Sequence, residues 1–143
     1  MARNRNSRRR GSTIVEFALV IFLLMLLTFA GIEFDRMVLV YTTVAHATRT
    51  GVRYAIVHGS DRTGTGDPAS GPGNTTAVET IIKNFASGGL LNTSSLNISV
   101  SYPSNNNKPG SKVIVTVTYP YDPFTLLPLS VNLRSSTQGI IVF

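Results

Sequence analysis

The sequence predicts an α+β protein. A long N-terminal helix, apolar enough in its first half to cross a membrane, continues into a small domain with one further helix and a three-stranded antiparallel sheet. Three observations carry this prediction: an unbroken apolar run behind a cluster of arginines, a helical periodicity after it, and alternating β-branched segments in the last third of the chain.

The apolar run covers residues 14 to 32, 19 positions interrupted only by Glu16, Thr28 and Gly31. At about 1.5 Å per residue this is roughly 28 Å of helix, close to the ~30 Å of a hydrocarbon layer. Arg3, Arg5, Arg8, Arg9 and Arg10 precede it, and Glu33 and Asp35 follow it. The asymmetry predicts a cytoplasmic N-terminus, with the remainder on the outer side of the membrane. Of 13 lysines and arginines, five lie in that leader, which leaves eight basic against seven acidic residues beyond residue 11. So even a balance argues against a broad basic surface for nucleic acid. The chain has no cysteine, so its exported domain must be held by packing without disulfides.

Glu16 is the costly residue of this run. A cleaved secretory signal peptide is one reading, with Thr28-Phe29-Ala30 loosely resembling a small-x-small cleavage site. The run is longer than the roughly 7 to 15 residues of such a signal, and the carboxylate opposes insertion. An uncleaved anchor is the other reading. It places Glu16 near the cytoplasmic interface, where an acidic residue costs much less than the roughly +2.5 to +3.5 kcal/mol of mid-membrane. Charge and length alone leave that anchor open.

Residues 33 to 57 keep apolar or small side chains at helical steps: Phe34, Val38, Tyr41, Ala45, Thr48, Val52 and Ala55. One continuous helix is expected from about Thr13 to Val57, on the order of 65 Å long, half embedded and half beyond the membrane. His46 and His58 are too far apart for a metal-binding i, i+4 pair, and no clustered acidic partner accompanies them, so packed or surface histidines are expected and no metal site. Residues 59 to 74, "GSDRTGTGDPASGPGN", are rich in glycine, serine and proline without periodicity, which predicts a flexible exposed loop.

"TAVETIIKNFASGG" reads as a helix with Thr76 and Glu79 as a capping box, Val78, Ile81, Ile82 and Phe85 as its apolar face, and Gly88-Gly89 as its end. "LNISVSY" (96 to 102) and "KVIVTVTY" (112 to 119) alternate as strands of a hairpin joined by "PSNNNKPGS". Residues 131 to 143 supply a third strand, with an irregularity expected at Gly139. Residues 119 to 129, "YPYDPFTLLPL", carry prolines at 120, 123 and 128, which forbid regular structure throughout. Their Phe124, Leu126, Leu127 and Leu129 are expected to cover the sheet edge, the alternative being a surface presented to a partner. Nowhere do a nucleophile, a base and a stabilising group stand together, so no enzyme, no catalytic residue and no cofactor is expected.

One arrangement says more than charge and length do. In Gly11-Ser12-Thr13-Ile14-Val15-Glu16-Phe17 a basic leader ends in glycine, and the fifth and sixth residues after it are glutamate and an aromatic. This resembles the processing site of type IV prepilins, particularly the short-leader pilins of tight-adherence (Flp pilus) systems. "GSTIVEFALV", "GIEFDRM" and "ATRTGVRYA" together resemble the N-terminal signature of TadE-like proteins, with Gly31, Glu33 and Arg36 after the span, then Gly51, Arg53 and Ala55. Residues 119 to 129 also resemble the Tyr-Pro-rich connection of TadE-like ectodomains, less specifically.

The resemblance implies that a prepilin peptidase cuts after Gly11, that Ser12 becomes the new N-terminus, and that Glu16 and Phe17 act in recognition and assembly. It also implies a pilin-like architecture and a minor pilin or pseudopilin that acts in assembly of a tight-adherence (Flp, type IVb) pilus. The partners it implies are other pilins through the N-terminal helix, the inner membrane and the pilus assembly machinery. The expected organisation is a cleaved leader (1 to 11), a transmembrane helix (12 to 32), its periplasmic continuation (33 to 58), a loop (59 to 74) and a helix-plus-sheet ectodomain (75 to 143). The competing expectation is an uncleaved single-pass anchor presenting a small adhesive or ligand-binding domain.

Overall fold

The structure, a computed structural model, describes residues 6–62, 66–89, 91–123 and 130–142, with side chains from Ser12 onward. Its elements are helix α1 (Asn6–Val57), helix α2 (Thr76–Gly88), a single 3-10 turn at Thr93–Ser95, and strands β1 (Asn97–Ser101), β2 (Lys112–Tyr121) and β3 (Val131–Ile140). The chain divides into two compact units, Met1–Arg36 and Met37–Phe143. The fold is α+β, as the sequence predicts.

In the first unit α1 begins at Asn6, seven residues before the expected start. Nothing between Asn6 and Thr13 breaks a helix except the mild penalty of Gly11, about 1 kcal/mol relative to alanine. From Ser12 to Arg36 every side chain is exposed apart from the half-buried Glu33. Ile14, Phe17 and Phe22 are each exposed by about two thirds (69%, 66% and 66%). Apolar exposure of this extent on all sides is not a water-facing surface; it belongs against lipid or another helix. The hydroxyl of Thr28 donates to Leu24 O at 2.8 Å, so the polar atom in the run is satisfied within the helix. Beyond the run, Arg36 Nη1 lies 3.8 Å from Glu33 Oε1, one turn away.

In the second unit the sheet runs in the order β1-β2-β3, antiparallel throughout. Alternation splits it into two unlike faces. Val113, Val115 and Val117 of the central strand are fully buried, and Leu133 of β3 joins them. The other face presents Asn97, Ser99 and Ser101 of β1 beside Thr116 and Thr118 of β2, with Thr116 and Ser136 hydroxyls 3.0 Å apart across the β2–β3 pair. β2 continues two residues past the expected Tyr119, through Pro120. The proline is tolerated because β1 ends its pairing at Thr118, so β2 is an edge from there on.

The inner face is covered by α1 and α2. On α1, Val40, Val44, Ala47, Thr48, Val52 and Ala55 are buried. Thr48 can lie in the core because its hydroxyl donates to Val44 O at 2.7 Å. Of the expected stripe, Thr48, Val52 and Ala55 are buried, but Phe34, Val38 and Tyr41 are exposed. Those seven positions follow a strict heptad, and an α-helix drifts about 20° per heptad, so a stripe aligned at its upper end has rotated away at its lower end.

Two glycines set how closely the helix approaches. A Cβ at Gly51 would meet Ile82 Cδ1 of α2 at 2.5 Å, and one at Gly139 would meet Ile56 Cδ1 at 2.5 Å and Val52 Cγ1 at 2.8 Å. The irregularity expected at Gly139 is therefore absent: β3 keeps its register through Val113↔Gly139 and Lys112↔Ile140, and the missing side chain makes room for α1. On α2 the capping box does not form. Thr75, in helical conformation, takes the N-cap position, and its hydroxyl donates to Glu79 Oε1 at 2.7 Å. The helix thus starts one residue earlier than the box requires. Its buried face is Val78, Ile82 and Ala86, and Phe85 is 42% exposed. Steps of four carry the seam against α1, which turns Phe85 outward.

The end of α1 and the loop after it are tied together. His58 Nδ1 donates to Tyr54 O, in the last turn of the helix, at 2.8 Å, and Val142 N donates to Ile56 O, a carbonyl beyond the last intrahelical bond, at 3.0 Å. Composition predicts a free connector over residues 59 to 74, yet its described second half is anchored. The Tyr54 hydroxyl donates to Pro68 O at 2.8 Å, Ser70 N to His58 O at 2.7 Å and Asn107 Nδ2 to Ser70 O at 3.0 Å. The buried hydroxyls of Ser70 and Tyr102 hydrogen-bond each other. These bonds join residues 12 to 37 positions apart, which local composition does not reveal. The expected cover of the sheet edge by Phe124, Leu126, Leu127 and Leu129 falls outside the described residues.

Burial pushes the Tyr102 phenol above its ordinary value, with the Ser70 hydrogen bond acting weakly the other way, and burial followed by the Asp67 charge does the same for Tyr54. Folding thus favours the neutral phenols. That contribution is complete below about pH 10, where unfolded tyrosine titrates, and declines as pH rises beyond it. Stability of the full chain in detergent, followed by urea titration, is expected to fall above about pH 10. Tyr102→Phe is expected to reduce that fall while costing about 1–3 kcal/mol at neutral pH through the stranded Ser70 hydroxyl. Gly139→Val is expected to cost about 1–3 kcal/mol in the same assay by forcing α1 off the sheet, whereas Gly88→Ala, with open space around it, is expected not to destabilise.

Candidate functional site

The residues singled out by the sequence lie at the head of α1. The Gly11–Ser12 bond falls in the second turn of the helix, six residues from Asn6. Helix ends fray, and glycine is the weakest interior residue after proline, so local opening at this bond costs less than anywhere further along the apolar run. Arg3 and Arg5 lie outside the described residues. Arg8, Arg9 and Arg10 belong to the helical backbone, but their side chains, like the surroundings of Gly11, are likewise outside the description.

Ser12 and Glu16 stand four residues apart on the helix, which brings them to one face, a single turn from each other. Both are exposed, as is Phe17 on the adjoining face. Glu16 forms no hydrogen bond or ion pair with any described residue. The spacing has a definite chemical meaning. Hydrolysis of the Gly11–Ser12 amide would create an α-amino group, with an ordinary pKa of roughly 7.7 to 8.0, one turn from a carboxylate that has no other partner. In lipid an unpaired carboxylate is expensive, and a cation at that distance offsets the cost.

The histidines take different places. His46 is exposed on α1. His58 is buried and stacks on Tyr54 with ring centroids 3.6 Å apart. Because a carbonyl can only accept, its bond to Tyr54 O puts a hydrogen on Nδ1. Its Nε2 is buried without a hydrogen bond, 3.6 Å from Asp67 Oδ2, and Arg62 Nη2 approaches the same carboxylate oxygen at 3.9 Å. Sequence reading missed this cluster. Its only local signal was the i, i+4 spacing of Tyr54 and His58; Asp67 arrives by way of the loop. Among the described residues no three histidine, cysteine or acidic side chains are grouped to hold a metal ion.

The segments with family-like spacing are also placed. Glu33 and Arg36 form the ion pair described above. Gly51 and Ala55 are buried at the α1 seam and Arg53 points outward between them, so the G-x-R-x-A motif combines two packing positions with one exposed cation. One helix among the described residues is long and apolar enough to cross a membrane, near the N-terminus, and none of its most apolar stretch is buried.

No curated protein and no solved structure matches the chain. A family model described as TadE-like protein matches residues 11–53, beginning at Gly11 and ending at Arg53 of the exposed motif. The family is structural rather than enzymatic, and its match points to a role related to the tight-adherence pilus. The head of α1 and the helix that follows it, residues 11–53, are thus the part of the chain that is similar to TadE-like proteins.

Proposed function

We propose that the chain is a minor pilin or pseudopilin of a tight-adherence pilus. A prepilin peptidase removes the leader after Gly11, and the mature subunit, beginning at Ser12, assembles with other pilins through its N-terminal helix. It is held in the inner membrane by the apolar run, with the arginine leader in the cytoplasm and residues 33–143 in the periplasm. The observation that carries this reading is Glu16: an exposed, unpartnered carboxylate one turn from the bond whose cleavage makes a cation. Before the cut the carboxylate is a liability in lipid. After it, amine and carboxylate, in one subunit or between neighbours, neutralise each other in a medium where both are costly alone. The family match, which starts at Gly11, supports the same register.

A second reading, an uncleaved anchor displaying an adhesive or ligand-binding domain, draws on a different observation. α1 runs unbroken from Asn6 through the Gly11–Ser12 bond, so the leader is compatible with a permanent helix.

Sequencing the N-terminus of the membrane protein from cells with active peptidase separates the two. The expected first residue is Ser; a chain that retains Met1 or Ala2 would sink the pilin reading. Glu16→Ala is expected to leave cleavage, judged by gel mobility, largely intact while abolishing pilus assembly. Unchanged piliation would show that the carboxylate is not an assembly residue.

A further inference from the structure

The flank where α1 meets α2 is not a finished surface. Thr42, His46, Thr50, Arg53 and Val57 succeed one another at steps of four, four, three and four, and so share one face of α1. Ile81 and Phe85 of α2 stand opposite, and two shallow depressions of about 540 and 510 Å³ lie between the helices. Their floor is apolar and open: Val57 and Phe85 are each 42% exposed. Their rim is basic. Arg53 lines one of them and Arg49 stands one turn before it on α1; both are exposed and make no ion pair with a described residue. α1 has no acidic residue after Asp35, and Glu79, the one carboxylate of α2, accepts from the Thr75 hydroxyl.

An apolar channel with an unbalanced cationic rim is complementary to a helix that carries a carboxylate beside apolar side chains. This chain contains such a stretch in residues 32–39. Ile32, Phe34 and Leu39 are exposed (59%, 61% and 60%), and Asp35 forms no ion pair with a described residue. Glu33 is already engaged with Arg36.

We infer that the α1–α2 flank of one copy docks residues 32–39 of a second copy, with Asp35 meeting Arg49 or Arg53. Charge sets the offset. Two parallel copies in the same register would place Asp35 beside Asp35 and Arg53 beside Arg53, like against like. An offset of 14 residues, from 35 to 49, or of 18, from 35 to 53, pairs opposite charges. Such a contact joins unlike patches, so each copy keeps one free donor stretch and one free flank, and association propagates instead of closing on a dimer. Copies held at one depth by their apolar spans cannot adopt the offset, which confines the contact to subunits displaced along the helix direction. The inference rests on the assembly reading above and names the surface, outside the apolar run, through which copies meet.

The absence of cysteine makes the test clean. Two differently tagged full-length versions, one Asp35→Cys and the other Arg53→Cys or Arg49→Cys, are co-expressed in cells that assemble pili and are mildly oxidised. The expected product is a disulfide-linked species carrying both tags. Asp35→Arg is expected to abolish it when placed in a background cross-linked through Leu39→Cys and Val57→Cys, which share the 18-residue offset of the 35–53 pair, and Asp35→Arg with Arg53→Asp in every copy is expected to restore it. Symmetric dimers as the dominant product, or a cross-link only to a different polypeptide, overturn the inference. So does the absence of any cross-link where Ser12 is the N-terminus and assembly still depends on Glu16, an outcome that leaves the pilin reading intact. A mixed-tag species from chains that keep their leader does the reverse.

Discussion

The second unit depends on one contact, the close approach of α1 to the inner face of the sheet and to α2. Gly51 and Gly139 permit it, because a single methyl group at either position would overlap a buried aliphatic side chain. With the helix at that distance, Val113, Val115 and Val117 are sealed, Thr48 is enclosed with its own backbone bond, and the end of α1 comes within reach of the segment after β3. A chain without cysteines has no covalent substitute for such packing.

Polar groups complete what packing begins. The last carbonyls of α1 are taken by His58 and by the backbone of Val142, and the loop that follows is pinned through Ser70, Tyr102 and Asn107. The same principle, that a polar group removed from water must find a partner, governs the first unit with the opposite outcome. Thr28 finds its partner inside the helix, while Glu16 finds none among the described residues. A fold that satisfies His58 Nδ1 and a buried threonine hydroxyl, yet leaves a carboxylate bare on an apolar helix, has an unmet requirement at the head of α1. Its unused charges on the α1–α2 flank are a weaker form of that condition, because water screens them.

Much of this was legible in advance, for reasons that differ by element. The apolar run, the end of α1 at Val57 and the three strands follow from periodicity and length, which are local properties. The two mistaken details of α2 have one cause. A capping box at Thr76 and Glu79 fits the sequence, but the helical turn reaches Thr75, and the seam with Gly51 selects Val78, Ile82 and Ala86 over Phe85. Likewise, a glycine near the end of a strand reads locally as a bulge. Only the presence of Ile56 above Gly139 gives it a different purpose.

The sequence by itself determined the register of the head of the chain: Gly11, Ser12 and Glu16 are fixed by covalent spacing, and any helix brings residues four apart to one face. It also determined the class of the fold, since alternation and three-and-four periodicity are written into neighbouring residues. The tertiary structure alone decided what each remaining side chain faces. Whether Phe34 or Val40 is buried, whether His58 is a ligand or a helix cap, and whether Arg53 is balanced depend on elements dozens of residues away. Packing is a sum over neighbours in space, and a one-dimensional pattern specifies only those nearby in the chain.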